Sequence, residues 1–187
     1  MYGLLRRSLV VLMLAGGFAA GGSAETPGLH AKAPDFTLAN VDGQPVRLSA
    51  LLKKGDVALV FLRGYPGYQC PYCQKQVHDL EQDSAKFAAQ GIELLLVYPG
   101  QAAQLDEKAK EFLGKEDALP ANFHLAIDPD FVVTNLYGLR WDAKGETAYP
   151  STFLLDKTGT VLFFKTSHSH GDRATTAEIL GGLAPKP

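Results

Sequence analysis

The sequence predicts an α/β fold, a central mixed sheet flanked by helices, and two observations carry that expectation. The continuous apolar run VALVFL over 57–62 and the stretch 92–98, apolar but for Glu93, have the composition of strands buried on both faces. Each is followed by a segment whose apolar residues recur at helical spacing, so strand and helix alternate along the chain and the helices cover both faces of one sheet.

The elements follow in order. Residues 25–33 form a short polar, proline-containing lead, and 34–187 read as one domain. Phe36 and Leu38 alternate, Asp42-Gly43 marks a turn, and Val46 and Leu48 alternate again, which predicts an N-terminal β-hairpin closed by a primed turn. Ser49 is expected to cap a helical turn that ends at Leu52. Beyond the strand at 57–62, Val77, Leu80, Phe87 and Ala88 predict one helix over 71–90, ended by Gly91. Past the strand at 92–98, Pro99-Gly100 turns the chain into a helix whose apolar face is Leu105, Ala109, Phe112 and Leu113, up to Gly114. Residues 115–122 read as a loop, 123–127 as a strand, 130–137 as a short helix opened by Asp128 and Pro129, and 138–149 as a loop. Strands at 152–155 and 161–164 are joined through 156–159 as a hairpin, and a last helix runs over about 174–183. There is no internal repeat and no low-complexity tract.

Composition bounds the function. The chain has 187 residues, 46% of them hydrophobic, enough for one domain with a full core and too few for two ordinary ones. Its 18 basic residues are scattered against 20 acidic ones, a net charge of -2, so no basic surface is available to gather nucleic acid or anionic lipid. Arg6 and Arg7 precede an apolar run from Leu9 to Ala20 that gives way to Gly22-Ser23-Ala24, the pattern of a secretory signal peptide cleaved after Ala24. Gly16, Gly17, Gly21 and Gly22 interrupt the run, which disfavours the alternative of an uncleaved membrane anchor. Export, with the bacterial periplasm as destination, is the expectation. Losing 1–24 removes two arginines and no acids, leaving 16 basic against 20 acidic residues.

The chain has only two cysteines, and they stand three residues apart, too close to staple distant parts of a fold. Gln69-Cys70-Pro71-Tyr72-Cys73 lies between a buried strand and a long amphipathic helix, the setting that makes a C-x-x-C redox-specific. Pro71 suits the first helical position, where no N–H is needed, and this puts Cys70 at the cap. A thiolate there faces free backbone N–H groups and the positive end of the helix dipole, both of which lower its pKa. Cys70 is therefore expected to be the exposed nucleophile. Cys73 shares a face with Val77 and Leu80 and is expected to be the shielded sulfur that resolves a mixed disulfide. A zinc site would need two further soft ligands, and there is no second cysteine pair to provide them.

With these residues in view the chain resembles the alkyl hydroperoxide reductase and thiol-specific antioxidant family, the peroxiredoxin-like branch of the thioredoxin superfamily. The likeness runs from Ala33-Pro34-Asp35-Phe36-Thr37-Leu38 and the Asp42-Gly43 turn through Val60-Phe61-Leu62-Arg63-Gly64 into the C-x-x-C. It continues through Asp128-Pro129-Asp130, Tyr137-Gly138 and Tyr149-Pro150-Ser151-Thr152-Phe153-Leu154-Leu155-Asp156. The resemblance implies a thioredoxin-like fold with a peroxiredoxin-type N-terminal hairpin, and a cis linkage before Pro150, placed beside the cysteines. It also implies catalytic roles for Cys70, Cys73 and Pro150, with Pro66, Pro71, Tyr72 and Arg63 shaping the site. The departures are informative. The family's P-x-x-x-T-x-x-C, laid on this chain, gives Pro66, then Cys70 in place of threonine, and Cys73 at the peroxide-attacking position. The arginine expected just before the strand at Thr152 is replaced by Pro150, which leaves Arg63, Arg140 and Arg173 as the arginines that could approach the site. The strand 57–62 carries no acid beneath the cysteines, Gln76 stands where related exported proteins carry Glu, and Glu93 is expected at the wet end of its strand.

The expected activity is thiol–disulfide exchange by an exported oxidoreductase, acting on a thiol or disulfide protein partner with an external thiol reductant and no bound cofactor. A thiol-dependent peroxidase acting on hydroperoxides is the first alternative. The second is a copper-binding chaperone built on the cysteines with His168 and His170, although two histidines in a polar loop are more often solvated. Tyr65, Tyr68 and Tyr72 crowd the cysteines, either as an apolar rim for a docking partner or as ordinary packing. Oligomeric state is not legible.

Overall fold

The computed structural model describes residues 24–114 and 119–183. The expected signal peptide, apart from Ala24, lies outside the described residues. Three parallel strands form the centre: β3 (Asp56–Phe61), β4 (Ile92–Gly100) and β5 (Phe123–Pro129). The hairpin β1 (Thr37–Ala39) and β2 (Pro45–Arg47) is added antiparallel beyond β5, and β6 (Ser151–Leu155) and β7 (Val161–Thr166) are added antiparallel beyond β3. The sheet is mixed and seven-stranded, in the order β2-β1-β5-β4-β3-β6-β7.

Alternation along the strands divides the core in two. Ala58, Val60 and Leu62 face one layer, with α2 (Pro71–Gln82), α3 (Ser84–Ala89), α4 (Leu105–Leu113) and α6 (Thr176–Gly181) contributing Val77, Leu80, Phe87, Ala109 and Ile179. Val57, Leu59 and Phe61 face the other, where α1 (Leu48–Leu52) and α5 (Val132–Leu136) pack with Tyr137. Because every second side chain points to the opposite face, a strand covered on both sides has to be apolar throughout.

Three local expectations are corrected. The predicted helix over 71–90 is two helices broken at Asp83, whose φ of -94° and ψ of 9° leave the helical region; no apolar period could show a one-residue interruption. The first hairpin has one left-handed residue, Gly43 (φ 75°), where a primed turn of the expected type needs two, and Asn40 Oδ1 accepts the N–H groups of Asp42 and Gln44 to close the wider loop. Ser49 does not cap α1. It lies within the helix, and its N–H is taken by Asp35 Oδ1 at 2.9 Å, so the cap comes from fourteen residues upstream.

Asp128 shows how α5 starts. Its buried carboxylate accepts the N–H of Val133 (2.9 Å) and both the N–H (2.8 Å) and hydroxyl (2.7 Å) of Thr134, answering donors that an α-helix leaves free. Burial raises its pKa, and these bonds work against that rise. Asp128→Ala strands three buried donors, so urea denaturation is expected to show a loss of about 2–3 kcal/mol.

Candidate active site

The chain leaves β3 at the carboxyl ends of the parallel strands, where open α/β sheets place their sites. Leu62 N–H bonds to Val97 O (3.0 Å) and Tyr65 N–H to Pro99 O (3.0 Å), so the segment leading to the cysteines is fastened to the end of β4. Cys70 then takes the N-cap of α2 with Pro71 at the first helical position, and its carbonyl accepts the N–H groups of Cys73 (3.0 Å) and Gln74 (3.1 Å). Cys73 lies one turn in, on the buried face with Gln76, Val77 and Leu80.

Both cysteines are free thiols. The expectation that Cys70 is exposed is corrected: it is 1% exposed, against 0% for Cys73. Cys70 packs in the apolar cluster of the α2 layer, and Arg173, from the segment between β7 and α6, reaches both sulfurs, its Nη2 3.9 Å from Cys70 Sγ and 3.7 Å from Cys73 Sγ. Arg173 is aimed by the His170 carbonyl, which accepts its Nε at 2.8 Å, and by Gln76 Oε1, 3.3 Å from Nη1. Beneath the pair, the backbone N–H of Arg63 donates to Cys73 Sγ at 3.3 Å.

These contacts drive the two thiols apart. The Cys73 thiol and N–H face the Cys70 sulfur, with Arg173 and Arg63 adding positive charge, and together they draw the Cys70 pKa down to about 5 against the effect of burial. Burial pushes the Cys73 pKa well up, the neighbouring Cys70 adds to the rise, and Arg173 opposes it. One thiolate near a neutral, shielded thiol is the division of labour that exchange requires.

Arg63 is a buried strut. Its guanidinium, 2% exposed, binds Glu146 Oε2 (2.6 Å), the Tyr68 hydroxyl (2.7 Å) and the Gly145 carbonyl (2.7 Å), and the Thr147 hydroxyl donates to its own carbonyl. The carboxylate and the phenol hold the guanidinium charged despite its burial. Glu146 also takes His170 Nε2 on Oε1 (3.0 Å). One carboxylate thus joins the arginine under the cysteines to the loop that carries Arg173 over them. Sequence reading missed Glu146 because it sits in a loop with no period, and Gln76 stood out only as the absence of an acid.

The linkage before Pro150 is trans, correcting the expected cis bond. Tyr149 N–H bonds to Leu139 O and the Pro150 carbonyl accepts Ser167 N–H, so the chain enters β6 extended and paired on both sides, with no reversal that a cis bond would serve. Pro66 lines a cleft of about 460 Å³ with Tyr65, Glu146 and Thr147. Tyr68 and Tyr72 are half-exposed, and Tyr72 meets the His170 ring at 6.4 Å between centroids. Arg140 turns away, over the Phe131 ring and onto the Trp141 and Thr147 carbonyls. Glu93 pairs with His124 at 2.6 Å near the start of β4. His170 bonds to Glu146 and His168 stands edge-on to the Tyr149 ring, and among the described residues no group of three His, Cys, Asp or Glu is placed to hold a metal ion.

Comparison with known proteins places this geometry. The chain is 32% identical over 129 residues to the thiol-disulfide oxidoreductase ResA of Geobacillus thermodenitrificans, covering 69% of this chain and 64% of that one. It is equally 32% identical over 153 residues to the chloroplastic peroxiredoxin Q of Oryza sativa, covering 81% and 65%. The chain therefore spans just under two thirds of the length of either relative. Among solved structures, peroxidoxin BcpB from Mycobacterium tuberculosis superposes with a TM-score of 0.65 at 21% identity over 84% of this chain and 94% of that one, a likeness of fold. The fold is thioredoxin-like. Residues 29–164 match the AhpC/TSA family, a span that runs from the first hairpin into β7 and includes the cysteine pair, and the chain belongs to that family.

Proposed function

We propose that the protein is an exported thiol–disulfide oxidoreductase that works through Cys70 and Cys73. The observation that carries this reading is the pair of free thiols at the start of α2, one at the helix cap and one buried a turn below it, both within 4 Å of a single guanidinium. The Cys70 thiolate attacks one sulfur of a substrate disulfide. A mixed disulfide forms and the other substrate sulfur leaves as a thiolate. Cys73 then gives up its proton and attacks Cys70 Sγ, closing the Cys70–Cys73 bond and releasing the second substrate thiolate. Two electrons pass from the protein dithiol to the substrate, and an external thiol reductant restores the dithiol.

In this reading Pro71 fixes the helix start, Arg63 presents its N–H to Cys73, and Tyr72, Pro66 and Pro150 shape the approach to the sulfurs. Tyr68 and Tyr72, both half-exposed near Cys70, offer apolar area to a protein partner. Residues 1–24 act as the export signal, and 34–187 are the working domain.

Peroxide reduction is the second reading, favoured by the arginine that Arg173 supplies at the sulfurs and by the family's peroxiredoxins. The C-x-x-C replaces the threonine of a peroxide site, so preorganised donors for peroxide oxygens are fewer than the family provides. Stopped-flow oxidation of the reduced protein by a disulfide-bonded protein is expected to outrun oxidation by hydrogen peroxide. Faster oxidation by peroxide, sustained by Cys73 alone in Cys70→Ser, would make the protein a peroxidase.

A further inference from the structure

We propose that Arg173 is a catalytic residue serving both half-reactions, stabilising first the Cys70 thiolate and then the Cys73 thiolate, so that the pair operates without a carboxylate base beneath it. This rests on the exchange reading above. The guanidinium is shared almost equally, 3.9 Å from Cys70 Sγ and 3.7 Å from Cys73 Sγ, and is therefore in place whichever sulfur carries the charge. It is aimed from two elements at once, by the His170 carbonyl in the loop after β7 and by the side chain of Gln76 on α2.

The chemistry of Cys73 requires such a group. Its thiol is buried and its pKa is pushed well up, so its deprotonation during resolution needs either a base or stabilisation of the product thiolate. The groups in contact with it are the Cys70 thiol, the Arg173 guanidinium and the Arg63 N–H, while the buried Tyr98 phenol, which also feels Cys73, is held protonated by burial and donates to Gln69 Oε1 at 2.8 Å. Gln76, buried on the same helix face, is an amide that accepts no proton, and its oxygen is spent on Arg173. Glu146 is bonded to Arg63 and His170. Cation and N–H together therefore hold the Cys73 thiolate while it attacks Cys70 Sγ, and its proton passes to solvent or to the departing substrate thiolate. A carboxylate at Gln76 would instead compete with the sulfurs for the guanidinium.

The test uses the reduced full-length mature protein with Arg173→Met, Arg173→Lys and Gln76→Glu. Thiolate absorbance near 240 nm, titrated against pH, reads Cys70 without any substrate. An opposite charge at this distance holds a pKa down by about 1–3 pH units, so Arg173→Met is expected to raise the midpoint by about one unit, Arg173→Lys to restore much of it, and Gln76→Glu to raise it. At neutral pH the same loss shifts the redox equilibrium with glutathione disulfide about tenfold toward the oxidised protein. In single-turnover exchange, release of the mixed disulfide by Cys73 is expected to slow about tenfold in Arg173→Met and less in Arg173→Lys. A merely covering role would speed both steps with any disulfide and leave the midpoint where it was, and that outcome overturns the proposal. Slowing of the first step with release unchanged overturns the claim on Cys73. If the wild type exchanges no disulfide, the functional reading fails while the titration still decides whether Arg173 holds the first thiolate.

Discussion

Cys70→Ser is expected to reduce disulfide exchange to background, whereas Cys73→Ser should complete the first step and stop there, accumulating a mixed disulfide with its substrate. The asymmetry follows from position. Cys70 caps the helix and has the Cys73 thiol and N–H facing its sulfur, so it is a thiolate at neutral pH; Cys73 is buried and protonated. Mass spectrometry of the trapped Cys73→Ser adduct checks the order, and a stable adduct on Cys73 in Cys70→Ser would reverse it. The pH dependence is equally direct. With a Cys70 pKa of about 5, alkylation of the reduced protein should be level from about pH 7 upward and fall to about a tenth at pH 4, where an ordinary thiol would still be gaining reactivity above pH 8. Linkage gives the sign for stability. The Cys70 pKa is lower in the folded chain than in the unfolded one, so its contribution is complete above the ordinary thiol pKa of 9.0 and is lost as pH falls toward about 5. The Cys73 pKa is raised, so its contribution is present below 9.0 and is lost at higher pH. The thiols therefore make the reduced protein gain stability between about pH 5 and 9 and lose it beyond. The oxidised protein, lacking both thiols, should lack this component.

How much of this was legible follows from which forces leave a local trace. The run at 57–62 and the stretch 92–98, apolar but for Glu93 near its start, announced buried strands because burial on both faces disfavours polar positions. The placing of Cys70 at a helix cap followed from Pro71, which tolerates the first helical position and little else in a helix. The burial of Cys70 left no such trace. Arg173 was named as one of three arginines that could approach the site, but it lies 103 residues from Cys70 in a polar loop, and nothing local distinguished it from Arg140, which turns away. Glu146 was silent for the same reason: its value lies in two partners, Arg63 and His170, 83 and 24 residues away. The Pro150 linkage was inferred from a resemblance, and the pairing of Tyr149 and Pro150 with Leu139 and Ser167 decided it otherwise. Asp35 capping α1 in place of Ser49 is the small-scale version, a local rule overridden by a carboxylate delivered from upstream.

The second large effect is expected at Gly64, where the backbone fastens the segment leading to the cysteines to the end of β4. Gly64 has a φ of 69°, a conformation that costs an L residue about 1–2 kcal/mol by itself. A Cβ there would also lie 1.9 Å from the Pro99 carbonyl oxygen and 2.8 Å from the carbonyl carbon. That overlap is with the backbone of β4, so no rotamer relieves it and the chain must move off the strand. Moving it breaks the Tyr65 N–H to Pro99 O bond and carries the neighbouring Arg63 N–H away from Cys73 Sγ. Gly64→Ala is therefore expected to lose about 3 kcal/mol or more in urea denaturation, and to slow resolution in whatever fraction remains folded. Gly91 supplies the control. Its φ of 66° is nearly the same, but nothing lies within 4 Å of its Cβ position, so Gly91→Ala should lose only the conformational part, about 1–2 kcal/mol. Equal losses at the two positions would mean that the end of β4 yields readily, and that the close approach of Gly64 to Pro99 is not what holds Arg63 against the buried thiol.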